Sequence, residues 1–223
     1  ALDTPFEAIW VKKFKALNPD LKVFDLAAGI EKIPMNPGHD HHHSPAHGEV
    51  HPDEGREIVL DPHVWTSPSC VKIMAKNILS ALGQIQPENA AVFNENFQAF
   101  VKELDRLHAD LTRLFDAQPE DGKTFMAFHP AWGYFADAYG LKQVPVEIEG
   151  KEPKARDLDN LIKLARRLGV KTILVQPQHS PKSARTIADA IGAKLVTADA
   201  LAPDWMENLR QVAGHISNAV VRQ

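Results

Sequence analysis

A single cysteine, Cys70, in 223 residues excludes an internal disulfide framework and any cysteine-rich zinc module, while fitting either a reducing or an oxidising compartment. Also absent is any apolar run near the roughly 18 residues of a membrane-spanning helix. No basic segment followed by an apolar one opens the chain, so neither membrane insertion nor an export signal is expected within these residues. Positive charge is not in excess, since 25 Lys+Arg stand against 29 Asp+Glu for a formal net charge of −4. With no basic cluster on any predicted helix, a nucleic-acid partner is not expected. The 44% of apolar residues suffices for one or two globular domains with a substantial core. What is abundant is histidine: eleven in all, six of them between His39 and His51.

Periodicity and punctuation set the expected organisation. Thr4-Pro5-Phe6-Glu7 reads as N-cap, N1 proline and capping-box glutamate of a helix reaching about Leu17, and Leu21 to Leu26 is an apolar run of strand length. From Pro34 to Pro62 there is no periodicity, only His, Gly, Pro, Asp and Glu, which predicts a mobile loop. Ser67-Pro68 opens a helix to about Gly83. Pro87 opens another, whose stripe of Phe93, Phe97, Phe100, Leu104, Leu107, Leu111 and Leu114 predicts a backbone helix of roughly 45 Å. Strands then alternate with helices: Thr124 to Phe128, Gln143 to Ile148, Thr172 to Val175 and Lys194 to Val196, with helices from Ala131, Leu158 and Pro181 and a last one from Asp204 to about Val221. That alternation means an α/β fold with a four-stranded parallel sheet flanked by helices. The expected divisions are an amino-terminal α/β remnant over 1–33, the His-rich loop over 34–62, a helical connection over 63–118 and a carboxy-terminal lobe over 119–223.

Three places carry chemistry. In the loop, His39, His41, His42, His43, His47 and His51 supply imidazoles beside carboxylates, a ligand set that suits zinc, copper or nickel. A polar loop or an affinity tag is the bland reading, but a tag sits at a terminus and is rarely broken by Asp, Pro and Gly. Without a fixed frame, such a loop is expected to be an auxiliary, weaker binder. In Asp61-Pro62-His63-Val64-Trp65-Thr66-Ser67-Pro68, His63 follows a φ-locked proline and precedes a bulky anchor and a capped helix. In Phe128-His129-Pro130-Ala131-Trp132, His129 sits at the carboxyl end of a buried strand, where open α/β sheets bind ligands. Asp199 follows the last strand at the same edge. Singly, each is equally well a satisfied histidine or a capping Asp; together, two His and one Asp fit an N/O divalent-metal site.

These residues resemble the cluster A-I solute-binding proteins of bacterial ABC transporters, which capture zinc or manganese for import. The likeness rests on the Asp61 to Pro68 segment, the His-rich loop before it, the long helix after it, and Phe128 to Phe135, with support from Gly150-Lys151-Glu152-Pro153 and Gln176-Pro177-Gln178. It implies that His63, His129 and Asp199 are metal ligands. It also implies a periplasmic or lipid-anchored location and a membrane ABC permease as partner. A histidine at 129 and the His-rich loop resemble the zinc branch, so Zn(II) is the expected solute, with Mn(II) second. The family's amino-terminal lobe supplies a further ligating histidine. This chain is expected to keep only the last helix and strand of that lobe and to read as a fragment or a short member.

The remaining polar residues read more blandly. His179 is expected at the surface, and Glu147 and Glu149 as solvated loop carboxylates rather than acceptors orienting a ligand imidazole. His108 and His215 read as structural or exposed, and Cys70 as a small packed residue. The alternatives to a solute-binding protein are a zinc hydrolase holding its metal with His63, His129 and Asp199, and a periplasmic zinc buffer using only the loop. Against the hydrolase, no Glu stands where a general base would, and no His-Glu-x-x-His helix is present.

Overall fold

The computed structural model describes residues 1–2, 4–35 and 59–218, so everything expected of His39, His41, His42, His43, His47 and His51 lies outside the described residues. Four parallel strands, β1 (Thr124–Ala127), β2 (Lys142–Pro145), β3 (Thr172–Val175) and β4 (Lys194–Thr197), lie in the order β2-β1-β3-β4. Side chains alternate across a strand, so one sheet serves two cores. Phe125, Ala127, Leu174 and Val196 point to one face and pack with α3 (Ala90–Asp116), α4 (Gly133–Ala138) and α7 (Trp205–Asn218). Met126, Val144, Ile173 and Val175 point to the other and meet α5 (Ala155–Arg167) and α6 (Lys182–Ile191). All four residues of β3 are buried, as an apolar run without alternation requires when helices cover both faces. The expected fold class is the observed one, with β3 matched at both ends and the ends of the other strands displaced by at most three residues.

Helix α3 is 27 residues long, about 40 Å at ~1.5 Å per residue, and a 3-10 turn at Pro87–Asn89 precedes it instead of the helix starting at Pro87. Its carboxyl half, with Leu104, Leu107, Leu111 and Phe115, is sealed beneath the sheet. Phe93 and Phe97 in its amino half face Ile78, Leu79 and Leu82 of α2 (Pro68–Ile85) across a shallow groove. Helix α1 (Pro5–Leu17) starts as expected: Glu7 accepts hydrogen bonds from the Thr4 nitrogen (3.0 Å) and Oγ1 (2.9 Å). Its aromatic row Phe6, Trp10 and Phe14 is exposed.

The expected strand Leu21 to Leu26 is corrected. Among the described residues the segment joins no sheet; its main chain is held instead by Ala1, whose ammonium donates to the Phe24 carbonyl (3.0 Å) and whose carbonyl accepts from the Leu26 nitrogen (2.8 Å), and by Asn77 Nδ2, which donates to the Leu26 carbonyl (2.9 Å). A strand exists only through a neighbour, and an apolar run alone does not supply one.

One acid-sensitive contact arises on α7. Burial, helped by the Lys194 ammonium, holds the His215 imidazole below its ordinary range. The unfolded chain then takes up this proton first as pH falls, so stability is lost on descending through the ordinary histidine range. His215→Gln is expected to shrink the drop in melting temperature between about pH 7 and pH 5, measured by thermal melts.

Candidate metal centre

The segment around His63 is built from its own main chain. The Asp61 nitrogen donates to the Ile33 carbonyl (2.8 Å), and the Tyr134 hydroxyl donates to the Asp61 carbonyl (3.1 Å). Pro62 fixes φ between the carboxylate and the imidazole. Asp61 Oδ1 then accepts from both the His63 nitrogen (2.9 Å) and His63 Nδ1 (2.7 Å), an Asp-centred turn that aims the ring. The Asp61 side chain is wholly buried. Beyond it, Val64–Thr66 form a 3-10 turn, and the Trp65 indole stands edge-on to the His63 ring at 5.2 Å. Trp65 Nε1 donates to the Ala200 carbonyl (2.9 Å) and Trp205 Nε1 to the Trp65 carbonyl (2.7 Å). These bonds tie the His63 segment to the loop after β4.

His129 comes from the opposite side. It stands two residues beyond β1, and Gln176, just beyond β3, clamps its main chain: Oε1 accepts from the His129 nitrogen (3.2 Å) and Nε2 donates to its carbonyl (2.7 Å). Two residues beyond β2, Glu147 is buried and its Oε1 lies 2.7 Å from His129 Nδ1. The expectation of a solvated Glu147 is corrected. The parallel register with β1 carries its side chain inward, with the Glu147 nitrogen donating to the Phe128 carbonyl (3.1 Å).

The two halves meet at His63 Nε2 and His129 Nε2, 3.3 Å apart. Each Nδ1 already faces a carboxylate, which only accepts, so the network assigns the hydrogen to Nδ1 and leaves a lone pair on each Nε2. Two lone pairs that face each other repel unless a proton or a metal ion lies between them. Two zinc–nitrogen bonds of ~2.05 Å at the tetrahedral angle would hold their nitrogens about 3.3 Å apart. The carboxylate–imidazole pairs on both sides are the arrangement that orients histidines toward a metal. Two buried carboxylates also match a dication in charge.

The other candidates fall as follows. Asp199 is at the same sheet edge, two residues beyond β4, with Oδ1 accepting from Gln178 Nε2 (3.2 Å) and from the Leu201 nitrogen (3.0 Å). Among the described residues, no group of three His, Cys, Asp or Glu closes to metal-holding distance. His179, expected at the surface, is half-buried instead; its ring stacks on His129 at 5.5 Å and 17° and lies against Phe128 at 5.1 Å. Glu149 is exposed at positive φ in the tight turn closed by Ile148 and Lys151, and keeps its solvated reading. His108 Nδ1 is 3.2 Å from the Tyr139 hydroxyl, a structural contact. Cys70 is half-buried, and burial pushes its thiol up, which makes it a packed residue.

Asp61 is the functional residue that the sequence reading passed over, although a carboxylate two positions before a histidine, across a proline, is a local signal for it. Gln176 was noted only as part of a likeness; its clamp spans 47 positions and leaves no local trace.

A family profile described as "ZnuA: Zinc-uptake complex component A periplasmic" matches residues 2–219. The chain belongs to this family. It is similar to the zinc-binding protein AdcA of Streptococcus pyogenes serotype M3, with 36% identity over 164 residues, 70% of this chain and 31% of that protein. It is likewise similar to the high-affinity zinc uptake system protein ZnuA of Bacillus subtilis, with 36% identity over 139 residues, 60% of this chain and 42% of that protein. The matched region thus spans well under half the length of these curated relatives. Among solved structures, a ZnuA crystal structure superposes with a TM-score of 0.83 at 35% identity, covering 97% of this chain and 76% of that one. A zinc-bound ZnuA deletion mutant gives 0.83 at 37%, covering 100% and 78%. Membership in the ZnuA family agrees with the resemblance read from Asp61 to Pro68 and from Phe128 to Phe135.

Proposed function

We propose that this chain captures Zn(II) between the His63 segment and the carboxyl edge of the sheet, outside the cytoplasm, and delivers it to a membrane ABC permease. The observation that carries the reading is the approach of His63 Nε2 and His129 Nε2 to 3.3 Å, each imidazole backed by a buried carboxylate. The family's description as a periplasmic zinc-uptake component and the names of the relatives support zinc over Mn(II). So does the nitrogen-rich donor set, since manganese prefers oxygen. His63 and His129 bind the ion, and Asp199 at the end of β4 adds a carboxylate. Among the described residues no helix is long and apolar enough to cross a membrane.

Capture and release need ligand exchange and no bond-making in a substrate. The hydrolase reading loses ground for a physical reason: Asp61 and Glu147, the carboxylates behind the two imidazoles, are already engaged with Nδ1 and are not free to act as a general base. The buffer reading, resting on the loop alone, leaves the inward-aimed His63 and His129 without a purpose.

The test is competitive titration of the first equivalent of zinc against a chromophoric chelator. Asp61→Asn and Glu147→Gln keep the shape but weaken the hold on Nδ1, so each should lower zinc affinity by roughly 10–100-fold. Unchanged affinity in both variants would place the tight site elsewhere.

A further inference from the structure

Strand β1 runs between β2 and β3, so the residues that follow it are reached from both flanks. From the β2 side, Glu147 holds the His129 ring at Nδ1 (2.7 Å). On the β3 side the Phe128 nitrogen donates to the Leu174 carbonyl (2.8 Å), and the main-chain ladder then stops, since Pro130 offers it no N–H. Beyond that bond the Gln176 side chain takes over. Its Oε1 accepts from the His129 nitrogen (3.2 Å) and its Nε2 donates to the His129 carbonyl (2.7 Å). The amide fits only this way round, because the main-chain nitrogen only donates and the carbonyl only accepts. Gln176 is buried, and β3 sets its place: the Val175 carbonyl accepts from the Ala198 nitrogen (2.9 Å), and the Gln176 carbonyl from the His179 nitrogen (3.1 Å). Packing alone does not account for it, since Met or Leu would fill the space without the cost of burying an amide.

Resting on the reading of His63 and His129 as a zinc pair, we propose that Gln176 is a positioning residue of the zinc centre, fixing the His129 main chain so that the two Nε2 atoms stand at the separation one zinc ion spans. Glu147 sets the rotation of the ring; Gln176 sets the point from which the ring projects. A displacement of the main chain at 129 carries Nε2 with it and changes its distance from His63. The His129 carbonyl keeps a second donor in the Ala131 nitrogen (2.8 Å), so losing the clamp loosens this stretch without unfolding it. Because the amide is uncharged, Gln176 acts without altering the charge balance between a dication and the two buried carboxylates.

The experiment is a double-variant cycle on the full chain. Chelator competition gives zinc affinity, and the visible absorption of the Co(II)-loaded protein records ligand geometry. Gln176→Met keeps the length of the side chain and removes both bonds. Alone, it should lower affinity by roughly 10–100-fold, as changes to groups that orient metal ligands do, and alter the Co(II) bands. In a chain already carrying His129→Ala it should cost less than about 2-fold more, since the ring it positions is gone. Parent-like affinity and Co(II) bands in Gln176→Met would overturn the proposal. So would an equal loss in both backgrounds, because a merely structural glutamine acts whether or not the imidazole is present. If Gln176→Met does not fold, Gln176→Asn, whose amide is one methylene too short to reach both groups, takes its place with the same expectations. Full affinity in His129→Ala by itself would mean that the zinc pair is misread, an outcome separate from failure at Gln176 because it is read before position 176 is changed.

Discussion

His129→Ala is expected to weaken binding of the first zinc equivalent by roughly 10²–10³-fold, and His63→Ala by a similar factor. Apparent zinc-binding free energies of about 10–16 kcal/mol, shared over four ligands, give ~2.5–4 kcal/mol for each, and ~1.4 kcal/mol is tenfold. The fold should survive both changes. The Gln176 clamp holds the main chain of His129, and His63 sits in a turn whose ends are bonded to Ile33 and Tyr134 through Asp61. The double variant should cost less than the product of the two, since a metal that has lost one ligand is no longer held for the other. His108→Ala, at a structural imidazole bonded to Tyr139, is the matched control and should bind like the parent. Competitive titration checks all four. Parent-like binding in His63→Ala and His129→Ala would remove the Nε2 pair from the site.

Gly133→Ala should damage both stability and zinc affinity, although it adds a single methyl group. A β-carbon at position 133 would stand 2.3 Å from Asp61 Oδ2 and 3.3 Å from Ile33 Cδ1. The glycine is needed for space, since its φ is not in the left-handed region. Asp61 has no room to withdraw: its side chain is fully buried, and its main chain is bonded at the nitrogen by Ile33 and at the oxygen by Tyr134. Overpacking of this kind costs about 1–3 kcal/mol. Displacing Asp61 also frees the His63 ring, for a further loss of roughly 10–100-fold in zinc affinity. Gly83→Ala in α2 meets nothing within 4 Å and should instead stabilise by about 0.5–1 kcal/mol, as alanine does inside a helix. Urea unfolding and zinc titration on both variants make the comparison. A harmless Gly133→Ala would show that the carboxylate can shift at little cost.

What could be read from the sequence divides along the range of the interaction. Strand β3 was legible to the residue because Thr172 to Val175 is an apolar run between turn signals, and burial on both faces needs nothing more specific. His63 and His129 were legible because a proline before one and a strand before the other fix each locally. Glu147 was not. Its burial depends on β2 lying in register beside β1, which brings position 147 to the Phe128 carbonyl and the His129 ring. The same holds for His179, whose neighbour His129 is 50 positions away in the chain. Leu21 to Leu26 failed in the opposite sense, having a strand's composition with no sheet edge to join.

The junction at Pro34 and Leu60 bears on how such a chain changes over generations. Pro34 bridges Leu60, the Met35 nitrogen donates to the Val59 carbonyl (2.9 Å), and the Asp61 nitrogen donates to Ile33 (2.8 Å), so the two ends of the intervening stretch are stitched together one residue before the carboxylate that aims His63. With its ends joined there, a change in the number of intervening residues enters as a loop-closure term. Halving that number alters the closure cost by only about 0.6 kcal/mol. A change in that spacing is therefore expected to leave the Ile33–Asp61 and Met35–Val59 hydrogen bonds in place, and with them the carboxylate that aims His63.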